Sequence, residues 1–218
     1  NLASAIKNLT VTRKPRIAFI GGHGELEDKY VVDAANSLSE YYVVERALLD
    51  GQLNSLTERD SISPGNWRIT NKFDAIIIAK PDTAFDEKDK FIIDQHIMRG
   101  GGVLWLIDPV FAAMDSLESA ESTMGVPMGL NLEDMLFKYG VRINTDLVMD
   151  LNALPIPLRT GQVGNQPQID FFPWYYFPVI TPLEPHPIVR NLNAIKTEFV
   201  SSIDTLILEG IDKTVLLK

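Results

Sequence analysis

Three short apolar runs, each closed by glycine or proline, leave this chain few ways to fold. Arg16-Ile17-Ala18-Phe19-Ile20 ends at Gly21-Gly22, and Phe73-Asp74-Ala75-Ile76-Ile77-Ile78-Ala79 ends at Lys80-Pro81. Val103-Leu104-Trp105-Leu106-Ile107 ends at Asp108-Pro109. Short continuous apolar runs of this kind suit strands buried on both faces. Between them lie helical patterns. Residues 25–41 carry Tyr30, Val31, Ala34 and Leu38 at helical spacing, and Glu25, Glu27 and Asp28 suit the positive end of a helix beginning there. Residues 42–49 read as another strand. Asp86 opens a second helix that runs to about Arg99, with Phe91, Ile92 and Met98 on its apolar side and Gly100-Gly101-Gly102 as its stop. A further helix spans 132–139, closed by Gly140, and 144–149 reads as a strand. Strand and helix in alternation predict an α/β fold with a parallel sheet and helices on both faces.

The character changes after Asp150. Eight of the thirteen prolines fall between Pro155 and Pro187. Six of the nineteen aromatic residues fall in Phe171-Phe172-Pro173-Trp174-Tyr175-Tyr176-Phe177-Pro178. Proline fixes φ and removes a donor, so this run is expected to be stiff and extended, neither helix interior nor central strand. The segment before it, Arg159-Thr160-Gly161-Gln162-Val163-Gly164-Asn165-Gln166-Pro167-Gln168, is polar and glycine-rich. The expected organisation is a lead-in over 1–12 and a single α/β domain over 13–218. That domain comprises an alternating core (13–150), an irregular proline- and aromatic-rich segment (151–198) and C-terminal strands (199–218). Residues 112–130 read as a long loop. A start at Asn1 and a stop in the apolar Thr214-Val215-Leu216-Leu217 suggest an excised piece of a longer protein.

Several classes of chemistry are excluded. A net charge of -9 with no basic cluster argues against a nucleic-acid partner. With no cysteine there is no disulfide, thiolate metal site or cysteine nucleophile. In an open parallel sheet, ligands bind at the carboxyl ends of strands. Here those ends are Gly21-Gly22-His23-Gly24-Glu25, Lys80-Pro81-Asp82 and Asp108-Pro109. The first is no phosphate loop. A dinucleotide fingerprint through Gly22 and Gly24 needs a small residue where Glu27 stands, and no Gly-Lys-Ser/Thr occurs. The remaining reading is a glycine turn capped by acids. His23, His96 and His186 have no ligand-type spacing, so a metal site would have to recruit His23 with Asp82 or Asp108. His96 is expected to face solvent from mid-helix. Lys80 and Asp108 suit either an ion pair or a cleft lining, and no Gly-x-Ser-x-Gly supplies a nucleophile. The aromatic run leaves three readings open: a core cover, a protein contact surface, or a sugar or small-molecule site. No catalytic residue, metal or cofactor is expected.

The sequence also resembles a known family. Ile17-Ala18-Phe19-Ile20-Gly21-Gly22-His23-Gly24-Glu25 is similar to the first strand and turn of the auxiliary, or "substrate-binding", component of the gliding-motility-associated ABC transporters of Bacteroidetes. Pro157-Leu158 through the Arg159–Pro178 stretch, and His186-Pro187-Ile188-Val189 with Asn191-Leu192, resemble the same family. The resemblance implies a glutamine-amidotransferase-like or flavodoxin-like α/β sandwich, shared with an intraflagellar-transport protein and lacking the amidotransferase nucleophile. It implies a periplasmic region flanked by membrane segments outside this chain, working with an ABC permease and, through it, an ATPase subunit. Self-association stays open. The function it points to is non-catalytic binding through Trp174, Tyr175 and Tyr176 with Arg159 and Gln162 nearby. The rival is a solute receptor whose cleft is lined by Gly22, His23, Lys80 and Asp108; Glu25 is a further ligand- or partner-binding candidate. A hydrolase using His23 with Asp82 or Asp108 is a third reading.

Overall fold

Two of the apolar runs become the centre of a parallel sheet, and the third, at 103–107, becomes an edge strand with Leu104 and Leu106 exposed, not buried on both faces as expected. β1 (Arg16–Gly21) and β5 (Ala75–Ala79) lie side by side, flanked by β2 (Val43–Leu48) and β6 (Gly102–Leu106), in the order β2-β1-β5-β6. This computed structural model describes residues 13–114, 122, 124–164, 166–182 and 186–217. The lead-in at 1–12 and part of the loop expected at 112–130 lie outside the described residues. The chain divides into two units, one formed by residues 1–107 with 129–132, the other by 108–128 with 133–218.

In the first unit, both faces of the central strands are covered. Ile17, Phe19, Ile77 and Ala79 pack with Val31 of helix α1 (Asp28–Ser39). The alternate side chains Ala18, Ile20, Ile76 and Ile78 are fully buried on the opposite face. Burial of each such isoleucine stabilises the fold by about 1.5–3 kcal/mol. Connection β1-α1-β2 runs one way across the sheet, and β5 reaches β6 the other way through α2 (Glu87–Met98). Right-handed crossovers then place α1 and α2 on opposite faces. Helix α1 starts three residues later than Glu25, because Glu25 turns inward.

Helix α2 is set by its ends. The Asp86 carboxylate accepts from the Asp89 amide at 2.8 Å, a capping bond. At the other end Gly100 adopts φ +84°, its amide donating to Ile97 O and that of Gly101 to His96 O, which is a Schellman closure. The glycines do more than stop the helix. A Cβ on Gly101 would lie 2.2 Å from His96 Nε2, and that nitrogen sits 3.3 Å from Gly102 O. His96 is therefore wholly buried, not solvent-facing as its mid-helix position suggested.

Between β2 and β5 the chain adds a hairpin with no counterpart in the sequence reading. β3 (Thr57–Ser63) pairs antiparallel with β4 (Asn66–Asn71) across Pro64-Gly65, where Gly65 has φ +83°.

The second unit is antiparallel. Short strands β7 (Val110–Phe111) and β8 (Val126–Pro127) pair, and helix α3 (Glu133–Lys138) ends where Gly140 turns at φ +79°. β9 (Val141–Ile143) pairs with β13 (Ile203–Thr205). The strand expected at 144–149 is thus displaced toward its N-terminus. Residues beyond it are tied by Asn144 N to Ser202 O, Val148 N to Val200 O, and an Asp146 carboxylate accepting from both the amide and hydroxyl of Ser202. Those bonds hold the Asp146 carboxyl below its ordinary range. The strand expected at 214–217 is absent, because an apolar run forms a strand only where another backbone pairs with it.

The largest departure is at 151–198, expected to be irregular. β10 (Ala153–Val163) and β11 (Gln166–Ile180) form a long antiparallel hairpin, and β12 (Ile195–Lys196) adds to its end. Proline tolerates this because of register. Pro155 lies opposite Pro173 and Pro157 opposite Phe171, alternating with the Ile156–Phe172 pair. Proline has no N–H, so the first two pairs must be of the non-hydrogen-bonded kind, and Ile156–Phe172 carries the ladder. The missing donors would have pointed away from the partner strand.

Candidate functional site

The strand order reverses between β1 and β5, which makes their carboxyl ends the expected ligand crevice of such a sheet. The turn after β1 is built for close approach. Gly22, at φ +127°, lies so near Leu49 that a Cβ would stand 2.2 Å from Leu49 O. Gly24, at φ +72°, leaves room for the Asp82 carboxylate, which a Cβ would meet at 1.5 Å. The two turns are sewn together by Asp82 N and Thr83 N donating to His23 O at 2.9 and 3.0 Å. Leu26 N donates to Ala79 O.

This crevice is filled by the protein's own side chains. His23 is 5% exposed and stacks on Phe85 with ring centroids 3.9 Å apart. Its Nε2 lies 3.2 Å from an Asp89 carboxylate oxygen, and the other Asp89 oxygen accepts from Gly51 N at 2.9 Å. Glu25 accepts from the His23 amide at 2.7 Å, while its second oxygen is 3.9 Å from His23 Nδ1, too far for a hydrogen bond. Each ring nitrogen faces a different carboxylate, so the three groups do not converge on one point. No set of three His, Asp or Glu side chains among the described residues could hold a metal ion. The ring of His23 thus meets Asp89, whereas Asp82 meets only its backbone. Lys80 follows β5 in the left-handed conformation, φ 52°, its amide donating to Leu106 O at 2.8 Å. Asp108 opens the second unit.

The second candidate is the outer part of the β10–β11 hairpin. The aromatic run is split. Phe171, Phe172 and Tyr175 are 68%, 45% and 44% exposed, with Leu158, Val163 and Ile169 exposed beside them. Trp174 and Tyr176 are half-buried, and Phe177 is buried. Between Pro155–Pro173 and Ala153–Pro178 the register slips, so that Trp174, Tyr175, Tyr176 and Phe177 face Leu154 alone. Such a bulge re-aims side chains. Here it turns Phe177 inward onto Phe199 at 5.2 Å, edge to face, and sets Trp174 5.9 Å from Tyr176. The buried Trp174 indole nitrogen has no hydrogen-bond partner. Arg159 and Gln162 are exposed on β10, and across the ribbon Thr160 Oγ1 donates to Asp170 at 2.5 Å.

Comparison with known proteins gives the chain its place. A model of the family described as an ABC-type uncharacterized transport system, auxiliary component, matches residues 14–218. The chain belongs to this family. No curated protein matches it. Among solved structures, the "mmIFT52 N-terminal domain" is similar at 14% identity and a TM-score of 0.58, over 93% of this chain and 72% of that one. At that identity the likeness shows the fold alone: mixed α/β, with a four-stranded parallel sheet and several antiparallel ones. The auxiliary component is transporter-associated, and its family suggests a non-catalytic role. No helix among its described residues is long and apolar enough to cross a membrane.

The structure brings His23 and Glu25 together in the first unit; Arg159, Gln162, Trp174, Tyr175 and Tyr176 belong to the β10–β11 hairpin of the second. Sequence reasoning missed Asp89 and Phe85 as partners of His23. The only signal for Asp89 was its place one turn into an acid-capped helix, which looks the same for any surface acid.

Proposed function

We propose that the auxiliary component acts as a non-catalytic, extracytoplasmic binding module of an ABC-type complex linked to gliding motility. Its contact surface is the exposed outer part of the β10–β11 hairpin, with Phe171 on one face of the ribbon and Phe172 on the other, and it docks the permease and through it the ATPase subunit. The fold assignment proposed with this role is amidotransferase-like, within one periplasmic region. The observation that carries the reading is the exposure of Phe171, Phe172 and Tyr175 on a proline-stiffened ribbon. Aromatic side chains on a rigid backbone lose little entropy on binding and anchor interfaces. Filling of the crevice by His23, Phe85 and Asp89 favours this reading over a solute receptor, since a ligand there would first have to displace a packed ring.

The test is a triple change, Phe171→Ala with Phe172→Ala and Tyr175→Ala, in the complete protein with its permease. Co-purification should drop at least tenfold while the circular dichroism spectrum is unchanged. A folded variant that still co-purifies at the parental level refutes the contact surface. Trp174→Ala is the companion variant: its half-buried ring should matter to stability more than to docking.

A further inference from the structure

A cavity of about 570 Å³ lies within the first unit, between the β3–β4 hairpin and helix α2. That is within the size range of small-molecule sites. One wall is a single face of the hairpin: Thr57 and Arg59 alternate along β3, and Ile69 stands opposite Arg59. The facing wall is one stripe of α2, with Phe91, Gln95 and Arg99 at spacings of four residues. The walls are held in place. Asn71 Nδ2 donates to His96 O at 3.0 Å, and Lys72 Nζ donates to Asn54 O and Ser55 O at 2.8 and 3.2 Å, fixing the loop that supplies Leu53.

The chemistry of the lining is selective. It carries two guanidinium groups and no carboxylate, in a chain of net charge -9. Arg99 spends two donors on Gln95, at 2.9 and 3.2 Å, which orients it and leaves the rest of its fork available. Arg59 makes no ion pair among the described residues. Beside these cations Leu53, Ile69 and Phe91 are 65%, 46% and 51% exposed, and Ile92 forms a buried floor. Planar cations that take oxyanions bidentately, set next to uncovered apolar area, recognise a molecule with both parts.

We infer that this cavity binds an amphipathic anion, a carboxylate or phosphate head on an apolar tail, with the head on Arg59 and Arg99 and the tail against Leu53, Ile69 and Phe91. The site is built wholly from residues of the first unit, and the inference stands whether or not the β10–β11 hairpin docks a permease.

Calorimetric titration of the whole chain tests it, using dodecanoate and dodecyl phosphate below their micellar concentrations. Dodecyltrimethylammonium and a dodecyl glycoside are the charge controls. Both anions should bind at least tenfold more tightly than the cation and the neutral glycoside, and the tighter of the two identifies the head group. Arg59→Gln with Arg99→Gln should weaken anion binding tenfold or more. Phe91→Asp, which puts an acid in the apolar wall at an exposed position, should do the same by a different route. Equal affinity for the cation overturns the inference. So does anion binding that survives both variants, or no binding of either anion.

Discussion

The parallel sheet of the first unit and the hairpin of the second treat apolar residues in opposite ways. In the sheet, Ile76, Ile78, Ile20 and Ala18 disappear completely between helices and strands, and the crevice at the strand ends is closed by His23 on Phe85. In the hairpin, residues of equal or greater apolar area remain outside, and the strand edges are blunted by proline. A parallel sheet must be covered on both faces to satisfy its geometry, so its side chains go to stability. A two-stranded ribbon has no such need. The difference teaches that the exposed aromatics Phe171, Phe172 and Tyr175 lie on an element whose geometry does not require both faces to be covered.

The sharpest break in that comparison is a pair of truncations. Ile78→Ala, at a fully buried position, should cost about 2–5 kcal/mol in urea unfolding. Phe171→Ala, at 68% exposure, should cost no more than about 0.5 kcal/mol. Equal losses would mean that the hairpin aromatics are core. The next effect lies at the closed crevice. Asp89→Ala removes the acceptor of both His23 Nε2 and Gly51 N, leaving buried donors unmet. Such orphans cost about 1–3 kcal/mol, and the His23 ring signals in a proton NMR spectrum should shift with the loss. A neutral result would make the cluster incidental to the fold.

Much of the sheet was legible because each of its signals was local. The runs at 16–20 and 73–79 and the cap-to-glycine frame of α2 each carry their own start and stop. What failed to be legible depended on pairing between distant residues. The β3 segment Thr57–Ser63 is polar on both faces and shows no alternation, and the Pro64-Gly65 turn was its one readable mark. In β10 and β11, proline counts as a strand breaker until the register is known. Only opposite one another at non-hydrogen-bonded positions do Pro155 and Pro173 become harmless. His23 and Glu25 were legible as residents of a glycine turn, but Asp89 joins them from a helix in another βα unit, and nothing in one sequence couples the two. The Arg59–Arg99 cavity was hidden for the same reason, since its two arginines are 40 residues apart in the chain.

A smaller effect separates the two regions by pH. Burial pushes the His96 pKa below its ordinary value, partly offset by the Gly102 carbonyl. The folded chain therefore holds His96 neutral at pH values where the unfolded chain, titrating near 6.5, takes up a proton. Stability tied to His96 is fully present above that pH and is lost as pH falls from it toward the folded value. The slope for one group cannot exceed about 1.4 kcal/mol per pH unit. Urea midpoints at pH 7.5 and 5.5 should fall further apart in the parent than in His96→Gln. Identical pH dependence in both would remove His96 as the cause.

A small change in stability is also expected at the hairpin edge, where the main consequence is association instead. Pro155 and Pro157 sit on β10, an outer strand, at positions where an N–H would point away from β11. Pro155→Val with Pro157→Val breaks no ladder bond, so the folding free energy should move by no more than about 1 kcal/mol. It does restore two donors to a long strand edge beside exposed apolar side chains, the arrangement that invites edge-to-edge pairing. Sedimentation velocity should show a concentration-dependent dimer in the double variant, and adding Phe171→Ala should leave that dimer in place because backbone donors drive it. A variant that stays as the parent does would show that the prolines guard nothing, and that the ribbon is kept from its neighbours by its face alone.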